Sequence, residues 1–192
     1  MSRKITFVTT NKGKVASCQK YFKDSDVELE ICNYELIEPR TDDVKEIATS
    51  KVKQAYDYVK KPCIAIDTGF FVNELNGFPR AFVNFALDTI KIEGILKLME
   101  GKEDRTCYFR ECLAYYDGKN IEYFECKIPG ILSKSIEGRD TNEKWSNLWY
   151  VFVPLGYSKT LAQMSSEERD ERRKNSEPEA FQLFSNWYLN NM

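Results

Sequence analysis

An α/β fold with a mixed sheet and flanking helices is the class this sequence predicts, and three observations predict it. Short apolar runs alternate with amphipathic stretches from Met1 to Ile66, the pattern of strands joined by helical crossovers. A long hairpin follows, Thr106–Tyr116 and Ile121–Ile128 across Asp117-Gly118-Lys119-Asn120, which adds antiparallel pairing. Two capping-box patterns, Ser165…Glu168 and Ser176…Glu179, announce helices near the end of the chain.

Taken in order, the alternating run Ile5, Phe7, Val8 predicts a short buried strand, and Val15, Cys18, Tyr21 and Phe22 stand at helical spacing after it. Val27–Tyr34 alternates as a strand, and Glu35–Asp43 is a polar connection. Val44, Ile47, Ala48, Val52, Ala55, Tyr56 and Val59 fall on one helical face, which Lys60-Lys61-Pro62 ends. Cys63–Ile66 reads as an apolar strand ending at Asp67-Thr68-Gly69; Phe70–Leu75 continues extended, and Asn76-Gly77-Phe78-Pro79 makes a turn. Ile90, Ile95, Leu96 and Met99 mark a helix closed by Gly101. Beyond the hairpin, Pro129–Ile136 is expected as a further strand, Glu137–Asn147 as a polar connection, and Leu148–Val153 as a short apolar run ended by Pro154. The last helix buries Phe181, Phe184, Trp187 and Tyr188. No repeat, linker or low-complexity segment interrupts the 192 residues, so 1–192 is expected to be a single domain.

Composition narrows the function. With 28 basic against 30 acidic residues the chain lacks the basic excess of a duplex-binding protein, so no nucleic acid polymer is expected as a partner. No apolar run is long enough to span a bilayer or resembles a signal peptide, so no membrane partner is expected either. Six cysteines without a CxxC pair read as reduced, mostly buried thiols of a cytoplasmic protein. Histidine is absent, which excludes Ser-His-Asp and Cys-His pairs and every histidine-bearing zinc site. Hydrolysis on this chain must therefore use carboxylates, lysines, hydroxyls and a hard metal ion.

The stretch Lys4–Lys14 carries the first site signal. Strand, polar turn, helix is an arrangement that aims free backbone N–H groups at an anion, and Thr9, Thr10, Asn11, Lys12 and Lys14 add hydroxyls, an amide and positive charge. GxxxxGK[ST] is absent, so this is no P-loop; the same residues also fit an ordinary N-capped helix with a solvated lysine pair.

The order of several short motifs resembles the inosine triphosphate pyrophosphatase family, the house-cleaning nucleoside triphosphate pyrophosphatases. Thr9-Thr10-Asn11-Lys12-Gly13-Lys14 matches T-x-N-x-x-K, Asp67-Thr68-Gly69 matches D-[ST]-G, and Leu75-Asn76-Gly77-Phe78-Pro79 matches L-x-G-x-P. Asp104-Arg105 opens the hairpin, and Gly156–Met164 is similar to G-x-x-x-T-x-A-E-M. The resemblance implies an elongated sheet with a central nucleotide cleft, a homodimer, magnesium dependence, and cleavage of a nucleoside triphosphate to monophosphate and pyrophosphate. It implies deaminated purines, ITP, dITP and XTP, as substrates.

Residue by residue, the resemblance assigns the metal to Glu38 and Asp67, catalysis to Asp67 and Lys14, and substrate contacts to Thr9, Thr10, Asn11, Lys14, Thr68 and Gly69. Arg169 and Lys174, within the basic cluster Arg169, Arg172, Arg173, Lys174, are carried as further substrate contacts, and Trp149, with Trp145, as a base-stacking surface. The sequence also departs from the family. Ile66 stands where the family has an acid before D-[ST]-G, and Arg80 where it has glycine after the proline. Ser146-Asn147-Leu148-Trp149-Tyr150 replaces F-G-[YW]-D-P, and S-H-R is missing, with Arg173-Lys174-Asn175 nearest to it. Two expectations follow: weaker selection for inosine and xanthine bases, and an alternative in which the chain binds nucleotide with impaired catalysis.

Overall fold

The structure, a computed structural model, describes residues 3–191. The chain divides into two compact units, one of Met1–Thr68, Glu111–Cys126 and Pro178–Met192, the other of Gly69–Arg110 and Lys127–Glu177. Three strands, β3 (Cys63–Val72), β5 (Thr106–Tyr116) and β6 (Ile121–Leu132), contribute residues to both. With β1 (Arg3–Val8), β2 (Val27–Cys32), β4 (Pro79–Arg80) and β7 (Phe152–Pro154), they form a mixed sheet ordered β2-β1-β3-β5-β6-β7, with β4 paired to β3.

In the first unit β1 (Arg3–Val8) pairs in parallel with β2 (Val27–Cys32) in the register Ile5↔Leu29, and with β3 in the register Thr6↔Cys63. Helices α1 (Lys12–Phe22) and α2 (Val44–Val59) are the crossovers. Stepping from β1 to β2 and then back past β1 to β3 reverses direction, so right-handed crossovers set α1 and α2 on opposite faces. The apolar stripe Val44, Ile47, Ala48, Val52, Ala55 is buried, as the helical spacing requires. The last helix, α6 (Ala180–Asn191), joins α1: Phe22 and Phe184 rings lie 5.9 Å apart, and Phe181 meets Phe7 edge-on at 5.5 Å.

The second unit has its own core, in which Phe70, Phe109 and Phe152 interlock with Ile95, Met99, Leu132 and Leu148. It contains β4 (Pro79–Arg80), α3 (Val83–Thr89), α4 (Lys91–Leu98), β7 (Phe152–Pro154) and α5 (Ser166–Lys174). The Ser165/Glu168 capping box forms in full at the start of α5.

Several boundaries differ from the sequence reading. Phe70–Leu75 is not extended throughout: β3 ends at Val72, and Asn73–Leu75 closes into a 3-10 turn with Asn76 left-handed. Helix α3 goes unannounced in the sequence, because its seven residues are too few to show a period. Pro129–Ile136 is no separate strand; β6 runs on to Leu132 and pairs there with β7, Gly130↔Pro154. A side chain at Gly130 would meet the Phe152 ring and the Val153 carbonyl, so the bare glycine permits that pairing. The Ser176…Glu179 pattern does not start the last helix: Ser176 Oγ donates back to the Arg172 carbonyl at 2.7 Å, and α6 begins at Ala180. All six cysteines are free, and burial pushes the Cys63 and Cys107 thiols up to about 12.

Candidate functional site

Open α/β sheets gather ligands beyond the carboxyl ends of their parallel strands. In the first unit three segments emerge there: the turn after β1, the connection after β2, and the end of the unit's part of β3. The turn is tied down on both sides. Thr9 N–H donates to the Cys32 carbonyl at the end of β2 at 3.0 Å, and Asn11 N–H donates to Thr9 Oγ1 at 3.1 Å. Asn11 caps α1, its Oδ1 accepting from the Lys14 N–H at 3.0 Å. Thr10 is exposed beside it. The Lys14 ammonium folds back toward β3 and donates to the Ile66 carbonyl at 3.5 Å, one residue from Asp67. Burial holds this ammonium below its ordinary range, against the attraction of Asp67 and, behind it, Glu111 and Glu38.

Asp67 and Glu38 converge on one atom. Lys51 Nζ lies 2.6 Å from Asp67 Oδ1 and 2.5 Å from Glu38 Oε1. Burial works to lower the Lys51 ammonium, but the two carboxylates outweigh it and raise it above its ordinary value. The connection that carries Glu38 is held by Gln54 of α2, whose side chain accepts from Ile37 N–H at 3.0 Å and donates to the Ile37 carbonyl at 2.7 Å. Beside Asp67, Thr68 Oγ1 is buried without a hydrogen-bond partner, the kind of orphan a bound oxygen ligand would satisfy.

This donor set fits magnesium. Two carboxylates already meet around a single cation position, and Mg²⁺ takes one or two protein carboxylates with water and phosphate oxygens completing its shell. Among the described residues no group of three or more His, Cys, Asp and Glu side chains could hold a metal ion.

Asn11, Lys14, Glu38, Asp67 and Thr68 are thus brought together within one unit. Gly69, Trp149, Arg169 and Lys174 belong to the second unit. There Trp149 is only 5% exposed, with the Arg169 guanidinium 5.5 Å over its ring. Arg169 is occupied structurally, donating to the Leu161 and Met164 carbonyls and pairing with Glu143 at 3.3 Å. Lys174 is exposed at the end of α5, and Arg173 pairs with Asp170 at 2.6 Å.

Sequence reasoning missed three residues. Lys51 falls on the buried stripe of α2, four residues after Ile47 and four before Ala55, and a lone cation on an apolar stripe is the signal that marks it. Gln54 gives no such signal. Glu111, a carboxylate in the middle of the apolar strand β5, is the same kind of exception as Lys51.

A model of the Ham1 family matches residues 5–187. Among curated relatives, a dITP/XTP pyrophosphatase of Saccharolobus solfataricus is 37% identical over 87% of this chain and 85% of its own length. One from Thermococcus kodakarensis, of the same name, is 31% identical over 98% and 99%. Two solved structures share the fold: the Ham1 protein of Staphylococcus aureus, with TM-score 0.79, 21% identity and coverage of 99% and 100%, and a HAM1 protein from Coxiella burnetii, with TM-score 0.82, 18% identity and coverage of 98% and 99%.

Proposed function

The chain belongs to the Ham1 family, and we propose that it is a nucleoside triphosphate pyrophosphatase acting on deaminated purine nucleotides such as dITP, ITP and XTP. The observation that carries this reading is the meeting of the capped Asn11–Lys14 turn with the Asp67 and Glu38 carboxylates at the ends of parallel strands. Lys14 and the threonine hydroxyls of the turn offer donors for phosphate, and the two carboxylates offer ligands for a metal and a water.

The reaction adds water to the α-phosphorus and breaks its bond to the α–β bridging oxygen, so pyrophosphate leaves and the monophosphate remains. Glu38 and Asp67 would hold Mg²⁺, which when bound neutralises phosphate charge and polarises water. The Thr9 and Thr10 hydroxyls of the turn would bind phosphate, and Lys14 adds a point charge that offsets the departing pyrophosphate. The Thr68 hydroxyl, buried without a partner, follows Asp67 on β3. Asp67 orients the attacking water and receives its proton. Within the second unit Arg169, Lys174 and Trp149 are candidates for nucleoside contact; the burial of Trp149 under Arg169 means that stacking there requires the guanidinium to move.

We also propose a cytoplasmic homodimer. The unbridged cysteines support the compartment, and Phe85, 69% exposed on α3 beside Phe82, supports a covered apolar face. No helix among the described residues is long and apolar enough to cross a membrane.

The test is pyrophosphate release from dITP, ITP, XTP, ATP, GTP, CTP and UTP with Mg²⁺, for the wild type and Lys14→Ala. Turnover of the deaminated purines, with KM for them raised at least about tenfold in Lys14→Ala, is expected. Absence of release from every nucleotide would overturn the reading, and an unchanged KM would remove Lys14 from phosphate.

A further inference from the structure

We propose that Gln54 is a positioning residue for Glu38, fixing from α2 the place of a metal-binding carboxylate. The proposal rests on the reading of Glu38 as a ligand for Mg²⁺. Glu38 lies in the connection between β2 and α2, where residues 33–43 form neither helix nor strand. The main chain bonds locally toward either end of this connection: the Tyr34 N–H donates to the Cys32 carbonyl at 3.1 Å, and the Thr41 N–H to the Pro39 carbonyl at 3.0 Å. Packing adds little beside Glu38, since Ile37 is 77% exposed. A segment so placed keeps much of its conformational freedom unless another element ties it down.

Gln54 supplies the tie. Its Oε1 accepts from the Ile37 N–H at 3.0 Å, and its Nε2 donates to the Ile37 carbonyl at 2.7 Å. One amide thus grips both polar groups of the residue before Glu38. Nε2 also reaches Ser50 Oγ, one turn back on α2, at 3.2 Å. Reversing the amide would set its NH₂ against the Ile37 N–H and its oxygen against the Ile37 carbonyl, so the network admits one orientation. The rest of the helix face agrees. Lys51, Gln54 and Tyr58 stand at positions i, i+3 and i+7 of α2 and share one face. They meet Glu38, Ile37 and Tyr34 in reverse order: Lys51 Nζ lies 2.5 Å from Glu38 Oε1, and the Tyr58 and Tyr34 rings stack with centroids 4.0 Å apart.

These contacts answer differently to a metal. Lys51 holds Glu38 by the charge that a cation between Glu38 and Asp67 would claim, so that tie loosens as the cation binds. The Gln54 bonds are neutral and end on the main chain of Ile37, so they persist in both states. A carboxylate already in place loses less freedom when the cation arrives.

The experiment measures metal affinity and backbone order, neither of which needs turnover. Mn²⁺ takes the same oxygen ligands as Mg²⁺ and is read by the EPR signal of the free ion. Titrations with Mn²⁺ alone compare the wild type, Gln54→Met, Glu38→Gln and the double variant, and hydrogen exchange is followed on peptides covering Tyr34–Thr41. Gln54→Met is expected to weaken Mn²⁺ binding about tenfold and to speed exchange of the Ile37 amide. The Mg²⁺ concentration for half-maximal dITP turnover is expected to rise in step, with kcat recovered at saturating Mg²⁺. In the Glu38→Gln background, Gln54→Met is expected to weaken Mn²⁺ binding no further, because the carboxylate it positions is gone. Gln54→Ala serves should Gln54→Met not fold. Unchanged exchange, unchanged Mn²⁺ affinity, or an equal loss of affinity in the Glu38→Gln background would each overturn the proposal. A wild type that binds no Mn²⁺ would remove the metal role from Glu38 and Gln54 together. A chain that shows the expected Mn²⁺ and exchange results but turns over no nucleotide would refute the pyrophosphatase reading and leave the role of Gln54 standing.

Discussion

Lys51 on α2 and Asp67 on β3 form an ion pair of 2.6 Å, with side chains only 12% and 7% exposed, and the same ammonium reaches Glu38 at 2.5 Å. Two carboxylates aimed at one point repel each other, and the chain answers with a cation of its own. If Glu38 and Asp67 hold Mg²⁺ as proposed, Lys51 occupies the metal's position and would have to yield or share it.

Lys51→Met tests this. The variant leaves Asp67 buried without its partner, a loss of about 3 kcal/mol, because the Glu38 end of the network reaches solvent. Adding Mg²⁺ is expected to recover part of the lost melting temperature, and to raise the variant by more degrees than the wild type. Equal gains in the two proteins would show that the metal does not sit between Glu38 and Asp67.

Arg80 has φ 58°, a left-handed conformation that suits glycine, and glycine is what the resembling family carries after its turn proline. The arginine is retained with a guanidinium bond to the Asn76 carbonyl at 3.2 Å. Arg80→Gly removes the strain and the side chain together; Arg80→Ala removes the side chain alone. Denaturant unfolding should place Arg80→Gly above Arg80→Ala by about 1 kcal/mol. The reverse order would mean that the backbone there is not strained.

Gly118 turns the hairpin at φ 97°, and a methyl group there would stand 2.2 Å from the Tyr56 hydroxyl of α2. Tyr56 cannot easily retreat, since its ring is packed 4.9 Å from that of Tyr116. Gly118→Ala is expected to lose about 2 kcal/mol, read as a lowered denaturation midpoint. A midpoint like that of the wild type would show that the turn and Tyr56 adjust together.

What the sequence makes legible follows from periodicity. The strand-turn-helix at Thr9–Lys14, the stripe of α2 and the long hairpin all repeat a pattern over enough residues to be read, and each stands where expected. Glu38, Asp67 and Lys14 are legible from motifs; in the structure Lys51 joins the two carboxylates, and Lys14 bonds to the carbonyl of Ile66, the residue before Asp67. Features lasting two to seven residues, such as α3 and β4, carry no period to detect. Lys51 and Glu111 escape for another reason: a charged residue on an apolar face is visible in sequence, but the partner that explains it lies far along the chain and is supplied only by folding. The capping pattern at Ser176 misleads because the following Pro178 keeps its segment outside α6, and Ser176 bonds back to α5 instead.

Stability should also depend on pH through Glu111. Burial, then the charge of Glu179, push its carboxyl from 4.5 up to about 7. Between those values the folded chain holds a proton that the unfolded chain has released. The stabilisation from that proton is fully present below about pH 4.5 and is lost as pH rises through about 7. At roughly 1.4 kcal/mol for each pH unit between the two values, the loss amounts to about 3 kcal/mol. Glu111→Gln keeps the shape and cannot ionise, so it escapes this loss. Urea unfolding of wild type and variant from about pH 5 to about pH 8 should show the variant gaining on the wild type throughout, by about 3 kcal/mol in all. Parallel stability curves would mean that Glu111 titrates alike in the folded and unfolded chains.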